Sequence, residues 1–427
     1  MEPARETLPE ALPEELPQAM ATRIVARIDE LAAISQDDGA ITRVCFSPEH
    51  RRAADLILGW MREAGMTARM DEIGNVVGRY EGTSQGLPCL MVGSHYDTVR
   101  NAGRWDGPLG LITAIECVAR IAQAGTRRPY ALEVIGFADE EGVRFSSTLL
   151  GSRAVAGTFD EGVLETRDAS GVKARDAIAA FGLDPARIRR AARRRADILA
   201  YLELHIEQGP VLEAQDLPVG VVTAISGASR FAVDLTGMAG HAGTVPMGLR
   251  RDALTGAAEC ILTIEALCRD AGAGVVGTVG QIQAAPGATN VIPGDVRFTI
   301  DVRAATDAQR RATVSAVVEA IDEIAARRQL KARIAKTHDN STAQCAPWLC
   351  TQLGESIAAS GYRVHALPSG AGHDGMAMID ITDIAMLFVR CRGGVSHHPS
   401  EHVETHDVAA GAKVLLHAME HFTPRPS

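Results

Sequence analysis

Three observations place this chain in the α/β class, with a mainly parallel sheet and an inserted ferredoxin-like domain. Apolar runs such as GLPCLMVGSH and YALEVIGFADEEG read as buried strands and alternate with helical stretches, the pattern of strands joined by crossover helices. Polar residues gather just past the ends of these strands, where open α/β sheets bind ligands. After about Val219 the texture changes to βαββαβ, the ferredoxin-like order.

Taken in order, residues 1–17 (MEPARETLPEALPEELP) are rich in Pro and Glu and read as a flexible lead-in. Residues 18–218 form the first part of the large domain. Within it, 18–36 and 48–66 have helical periodicity, and TARMDEIGNVVGRYEG is a hairpin turning near EIGN. GPLGLITAIECVARIAQAG is an apolar helix whose Pro108 suits the first turn, where a missing N–H costs nothing. ARIRRAARRRAD, 186–197, is a basic run read as a solvated helical face. The insert spans 219–336: GVVTAISGASRFAVDLTG is strand-like, 247–270 helical, GVVGTVGQIQAAPG and DVRFTIDVRA strands, 305–328 helical and LKARIAKTH a strand. From 337 to 427 the α/β texture resumes and ends in the helix DVAAGAKVLLHAMEHF.

A chain of 427 residues suggests two or three domains, and 46% hydrophobic with 22% charged residues is ordinary for a globular protein. The net charge of −10 argues against nucleic acid and anionic membrane surfaces, which require basic faces. No apolar run approaches the roughly 20 residues of a membrane span. The start lacks the basic and apolar regions of a signal peptide. The eight cysteines are scattered with no CxxC pair, and Cys345 with Cys350 lacks the second pair of a zinc knuckle. Reduced thiols in a cytoplasmic protein are the expectation.

The chemistry-bearing residues sit at strand ends. In GSHYDTVRNAGRWDG, His95 and Asp97 are two residues apart, so an extended backbone puts both on one face. Asp97 can then accept the free N–H of His95 and fix its tautomer for metal binding. Asp106 follows in a glycine-flanked turn. FADEEGVRF places Glu140 beside Glu141, and adjacent carboxylates repel unless a cation is near. YLELHIEQGPVLE contributes His205, Glu207 and Gln208, and GVSHHPSEH contributes His397 and His398. Singly these are a core histidine, a surface acid pair or a turn. Together, four strand ends deliver His, Asp and Glu, the ligand set of a first-row divalent metal.

The stretches GSHYDTV, GRWDGPLG, FADEEGVRF with LGSRA, LELHIEQGPVLE, GHAGTVPMGLRRDAL, NVIPGDVRFTIDVRA, SGAGHDGMAM and GVSHHPSEH occur in one order. With them, the chain from about residue 20 onward resembles the hydantoinase/carbamoylase branch of the M20 metallopeptidase family, whose members hydrolyse ureido groups. The resemblance implies a di-metal aminopeptidase-like catalytic domain, with the insert acting as a lid and dimerisation domain. It implies two divalent metal ions per subunit, manganese or zinc, held by His95, Asp106, Glu141, His205 and His397, with Asp106 bridging. Asp97 would orient His95, and Glu140 would be the general base. His397 is preferred to His398 because it directly follows Ser396 in the family's SH pattern; His398 stands where the family often has Asn or Ser, and Gly375 where alanine is usual. Peptidase branches usually carry a carboxylate at the position of His205.

The same resemblance assigns His241 to the oxyanion and Asn290 and Arg303 to a substrate carboxylate, which an Arg can grip with two parallel hydrogen bonds. Gln208 would bind the ureido group, since its amide both donates and accepts. Gly370 and Gly372 would line the pocket with backbone; His373 and Asp374 are not taken as ligands. MLFVRCRGGVSHHPSEHV is most similar to allantoate amidohydrolases. The expected activity is hydrolysis of the ureido group of allantoate, with N-carbamoyl-L-amino-acid hydrolase and 3-ureidopropionase as alternatives. The expected partners are a small ureido carboxylate and a second copy of the chain, with no nucleic acid or membrane.

Overall fold

The computed structural model describes residues 15–425, so the lead-in expected over 1–17 lies outside the described residues except for its end. Glu15 to Pro17 are helical instead, in the first turn of α1 (Glu15–Ala32). Two compact units form. The first holds the chain up to Thr223, Cys345–Leu367 and the chain from His373; the second holds Ala224–Gln344 and Pro368–Gly372.

In the first unit α1 is followed by α2 (Pro48–Glu63), which starts with Ser47 accepting the N–H of His50 and Pro48 in the first turn. The hairpin β1 (Thr67–Met70) and β2 (Val76–Tyr80) pairs Met70 with Val76. Its turn is built by Asp71, whose Oδ1 accepts from the N–H groups of Ile73 and Asn75. Then come β3 (Cys89–His95), α3 (Pro108–Gln123), β4 (Ala131–Phe137), α4 (Leu150–Ala156), α5 (Ala174–Ala180), β5 (Ile198–Ile206), α6 (Val211–Ala214) and β6 (Val219–Ile225). The basic run does not form the expected α-helix. It breaks into short 3-10 turns at Pro185–Ala191 and Arg195–Asp197, and Arg193 between them reaches in to buried Glu133. Asp184 and Pro185 start the first turn; the bond to Glu133 takes Arg193 out of any solvated stripe.

The second unit begins with β7 (Gly227–Thr236), a two-residue β8 (Gly240–His241), α7 (Ala253–Asp270), β9 (Val275–Thr278), β10 (Ile282–Ala285), a two-residue β11 (Val291–Ile292) and β12 (Asp295–Ala304). It continues with α8 (Asp307–Arg327), β13 (Lys331–Asn340) and a short β14 (Ala343–Gln344). The helix expected from 247 starts at Ala253, because Asp252 caps it by accepting from Leu254 and Thr255 while Pro246 and Gly248 break the chain ahead. β12 lies between β7 and β9/β10, and β13 flanks β7 on the other side, all antiparallel. That is the ferredoxin-like strand order, with α7 and α8 over one face and a core of Val233, Phe298, Val302 and Ile321. The single strand expected over GVVTAISGASRFAVDLTG is two: β6 joins the large sheet and β7 the small one, divided at Ser226.

The chain returns through α9 (Pro347–Ala359), β15 (Ala366–Ser369), α10 (Gly375–Met378), β16 (Ile384–Val389) and α11 (Thr405–His421). The large sheet runs β1-β2-β4-β3-β5-β16-β6, and its centre, β4, β3, β5 and β16, is parallel. The flanking β2 and β6 are antiparallel to it. α1, α3 and α11 pack together, α3 against β3, β4 and β5 and α11 against β16. Every residue of β3 and β4 is buried, which explains their unbroken apolar runs. The carboxyl ends of the four parallel strands therefore share one edge. Among the described residues no helix is long and apolar enough to cross a membrane.

Candidate metal centre

β3 ends at His95 and β4 at Phe137, which are register partners; His205 and Phe388 are partners on β5 and β16. Parallel pairing thus brings the four loops that follow these strands to one place. His95 is 2% exposed and its Nε2 lies 3.2 Å from Asp106 Oδ1. His205, 1% exposed, approaches the same oxygen with its own Nε2, also at 3.2 Å. The other nitrogens face backbone carbonyls, His95 Nδ1 that of Asp97 at 3.1 Å and His205 Nδ1 that of Ile206 at 3.0 Å. With Nδ1–H donated to these carbonyls, each ring has its Nε2 left to offer a cation at one point. The close partner of His95 is thus the carbonyl of Asp97; its carboxylate stands at 3.6 Å. That carboxylate instead accepts from the backbone N–H groups of Glu140 and Glu141, because the β4 loop folds over it.

On the other side of Asp106, His397 Nε2 lies 3.3 Å from Oδ2 and 3.3 Å from Glu141 Oε1. His397 reaches in from a left-handed backbone, φ +56°. His398 turns to Ser400, 2.7 Å away, and is not in the cluster. Ligand atoms of His95, Asp106 and His205 lie close enough to hold one cation, and so do those of Asp106, Glu141 and His397. Asp106 belongs to both trios. Glu140 stands with His95 and Glu141 in a further grouping, and Glu203, His205 and His373 form a buried one.

Electrostatics shows how the donors fit a cation. Burial opposes charge on Asp106, but His205, His397 and His95 outweigh it and hold its carboxyl well below the ordinary range. Burial, then Asp106, pushes Glu141 up to about 7. Burial pushes Glu140 well above the ordinary value, with Glu141 adding to it against His95. Asp106, against burial, raises His397 to about 9. Protons here do the work of positive charge, and a bound cation would displace them.

Tight supports surround the trios. Gly107 has φ +82°, and a Cβ there would come within 2.5 Å of the His95 ring, so only glycine lets the turn pass the ligand. Gln208 Nε2 donates to Asp106 Oδ2 at 2.6 Å, and Ser396 Oγ also bonds that oxygen. Buried Glu401 accepts from the N–H groups of Trp105 at 2.7 Å and Asp106 at 3.1 Å. Sequence reasoning gave Ser396 and Glu401 no role, although both lie inside GVSHHPSEH. It also gave none to wholly buried Arg43, whose guanidinium bonds the carbonyls of Tyr96, Leu31 and Ile34 and fixes the start of the His95 loop.

The remaining expected residues lie in the second unit. β8 pairs with β11, His241 opposite Val291, and the carbonyl of Asn290 accepts from the N–H of Ala242 at 2.9 Å, so His241 and Asn290 sit on one ribbon. Both side chains are exposed. Arg303 on β12 donates to the carbonyl of Gly370 at 2.7 Å and holds Asp301 through Nε and Nη2. Gly370 and Gly372 are exposed, while His373 and Asp374 are buried.

Residues 91–421 match the model of peptidase family M20/M25/M40. An N-carbamoyl-L-amino-acid amidohydrolase of Pseudomonas sp. (strain NS671) is 41% identical over 401 residues, 93% of this chain and 97% of that protein. An allantoate deiminase of Arabidopsis thaliana is 41% identical over 429 residues, 93% of this chain and 81% of that protein. The crystal structure of a hydantoinase/carbamoylase family amidase from Burkholderia multivorans superposes with a TM-score of 0.88 at 32% identity, covering 93% of this chain and 97% of that one. The family is metal-dependent, and the Asp106 cluster is the candidate site. The chain belongs to the M20/M25/M40 peptidase family and is a hydrolase acting on carbon–nitrogen bonds other than peptide bonds.

Proposed function

We propose that this protein is a metal-dependent amidohydrolase that cleaves the ureido group of allantoate, yielding ammonia, carbon dioxide and ureidoglycine. The observation that carries this reading is the pair of trios sharing Asp106, with His205 where peptidase branches usually have a carboxylate and Glu140 beside a ligand. Two divalent cations, manganese or zinc, held by His95, Asp106 and His205 and by Asp106, Glu141 and His397, would supply Lewis acidity and acidify water. Glu140 takes the proton as water attacks the carbamoyl carbon and returns it to the departing nitrogen. The carbamate released then falls apart to ammonia and carbon dioxide.

His241 stabilises negative charge developing on the carbamoyl oxygen. Gln208 keeps its buried Oε1 without a protein partner among the described residues, an acceptor suited to a ureido N–H. Arg303, Asn290 and the backbone at Gly370 and Gly372 hold the substrate carboxylate, and the second unit makes the contact of a homodimer. A second reading, N-carbamoyl-L-amino-acid hydrolase, is supported by a relative so named at the same 41% identity as the allantoate deiminase. 3-Ureidopropionate is the remaining candidate. Ammonia release from manganese-loaded protein, measured for allantoate, N-carbamoyl-L-amino acids and 3-ureidopropionate, tests the reading. The highest kcat/KM is expected for allantoate, and preference for another ureide overturns that choice of substrate.

A further inference from the structure

Of the eight cysteines, seven are buried and Cys350 alone is half-buried. It stands in the first turns of α9, five residues after Cys345. Backbone contacts bring the two together. The N–H of Cys350 bonds the carbonyl of Ala346 at 3.0 Å, which winds the helix back over the residue next to Cys345. Both cysteines also rest on neighbouring residues of β6. The N–H of Cys345 donates to the carbonyl of Thr223 at 3.0 Å, and Cys350 Sγ donates to that of Val222 at 3.5 Å. The two thiols hydrogen bond each other, and unequally: Cys345 keeps its proton and donates, which with burial holds it far above the ordinary thiol range. Cys350, as acceptor of that bond, is held below the range. Burial pushes each of the other six up. The start of a helix also favours an anion, and the thiolate is the form that attacks a peroxide. Nucleophilic character thus falls on the accessible member of the pair.

We propose that Cys345 and Cys350 are a hydroperoxide-reactive dithiol, in which Cys350 is the attacking sulfur and Cys345 the resolving one. Cys350 forms an S–O bond as the O–O bond of hydrogen peroxide breaks, and the hydroxide expelled takes up the proton that Cys350 gave up. The sulfur of Cys345 then attacks that of Cys350. An S–S bond replaces the S–O bond, and the second hydroxide leaves as water with the proton of Cys345. Two thiols and one peroxide become one disulfide and two waters. Closure spares Cys350 from sulfinic acid, which thiols do not reduce. This site stands independently of ureide hydrolysis.

The full chain is treated with hydrogen peroxide, remaining thiols are alkylated with iodoacetamide in denaturant, and trypsin releases residues 337–363, which hold Cys345 and Cys350 and no other cysteine. That peptide should become lighter by two hydrogens and lose both alkylation sites, and dithiothreitol should restore them. The disulfide should form about tenfold faster, or more, in the native chain than in urea, where the pairing of the thiols is lost. The other six cysteines should still alkylate. In Cys345→Ser, dimedone should trap a sulfenic acid at Cys350, with sulfinic acid following. In Cys350→Ser, Cys345 should remain a thiol at the same peroxide exposure. The native-against-urea comparison uses the wild-type chain and stands even where a variant fails to fold. A disulfide that forms no faster in the native chain, a buried cysteine oxidised ahead of Cys350, or a dimedone adduct at Cys345 overturns the assignment.

Discussion

The carboxylate of Asp97 accepts the backbone N–H of Glu140 at 3.1 Å and, with its second oxygen, that of Glu141 at 3.3 Å. One side chain therefore ties the loop that follows His95 at the end of β3 to the loop after β4, which carries Glu140 and Glu141. Asp97→Asn keeps the volume but turns an amide donor toward an N–H. Metal affinity is expected to fall about 10- to 100-fold, the usual range for a residue that orients ligands. Chelator competition measures it. Unchanged affinity with unchanged turnover would show that the two loops hold without this tie.

Glu140 and Glu141 are neighbours for which we propose separate tasks, and exchange of each for glutamine tests them. Glu140→Gln cannot accept a proton, so activity should fall about 10²- to 10⁴-fold with metal content unchanged. Glu141→Gln should lose metal, because Glu141 is the carboxylate beside His397. Metal analysis paired with turnover reads both, and exchanged phenotypes would reverse the assignment.

A carboxylate that reaches His95 and His205 with one oxygen and His397 with the other suits two cations. Reconstituted protein should carry close to two metals per chain by elemental analysis. Chelation should lower the thermal midpoint, since a ligand that binds only the folded state stabilises it. Full activity at one metal per chain would remove the bridging role.

The clustering of His95, Asp106, Glu141, His205 and His397 was legible because each lies at or past the end of an apolar strand, and the parallel sheet turns that sequence pattern into proximity. The tie from Asp97 was half legible: its spacing from His95 showed a pairing, but not that the carboxylate would be drawn to N–H groups 43 and 44 residues away. The division of one strand-like stretch into β6 and β7 at Ser226 was hidden, since both halves are equally apolar and only pairing partners tell them apart. The basic run misled because helix-forming residues were read without the Asp184–Pro185 start and without buried Glu133 as a partner for Arg193.

His241 lies exposed on β8, where its Nδ1 accepts the backbone N–H of Gly243 at 3.0 Å. If it serves the metal centre of a second copy, Glu140→Gln and His241→Ala are each nearly inactive as pure dimers. Randomly exchanged equal mixtures contain half mixed dimers, each with one intact site, and should regain about a quarter of wild-type activity. Mass-tagged subunits verify exchange. Activity that stays at the level of the parents after proven exchange confines His241 to its own chain or to no role.

Glu401 is 295 residues from Asp106 in sequence and holds its backbone in space. Its Oε1 takes the N–H groups of Trp105 and Asp106, while Oε2 faces Ser396 Oγ at 3.0 Å. Ser396 Oγ stands between Glu401 Oε2 and Asp106 Oδ2 and can give its single proton to either, so Glu401 fixes Asp106 at its backbone and shares a hydroxyl with its side chain. Glu401→Ala leaves two buried N–H groups without an acceptor, each worth about 1–3 kcal/mol. Stability and metal affinity should fall together. Glu401→Gln keeps one carbonyl oxygen for the two N–H groups and can donate to Ser396, so it should lie within about 1 kcal/mol of wild type. Gly103 supplies an independent check. A Cβ there would sit 2.3 Å from Glu401 Oε1, so Gly103→Ala must displace that carboxylate and should resemble Glu401→Ala. Denaturant unfolding and chelator competition on the three variants decide the matter. Wild-type metal affinity in Glu401→Ala would mean that the turn between Gly103 and Gly107 holds Asp106 by its own conformation.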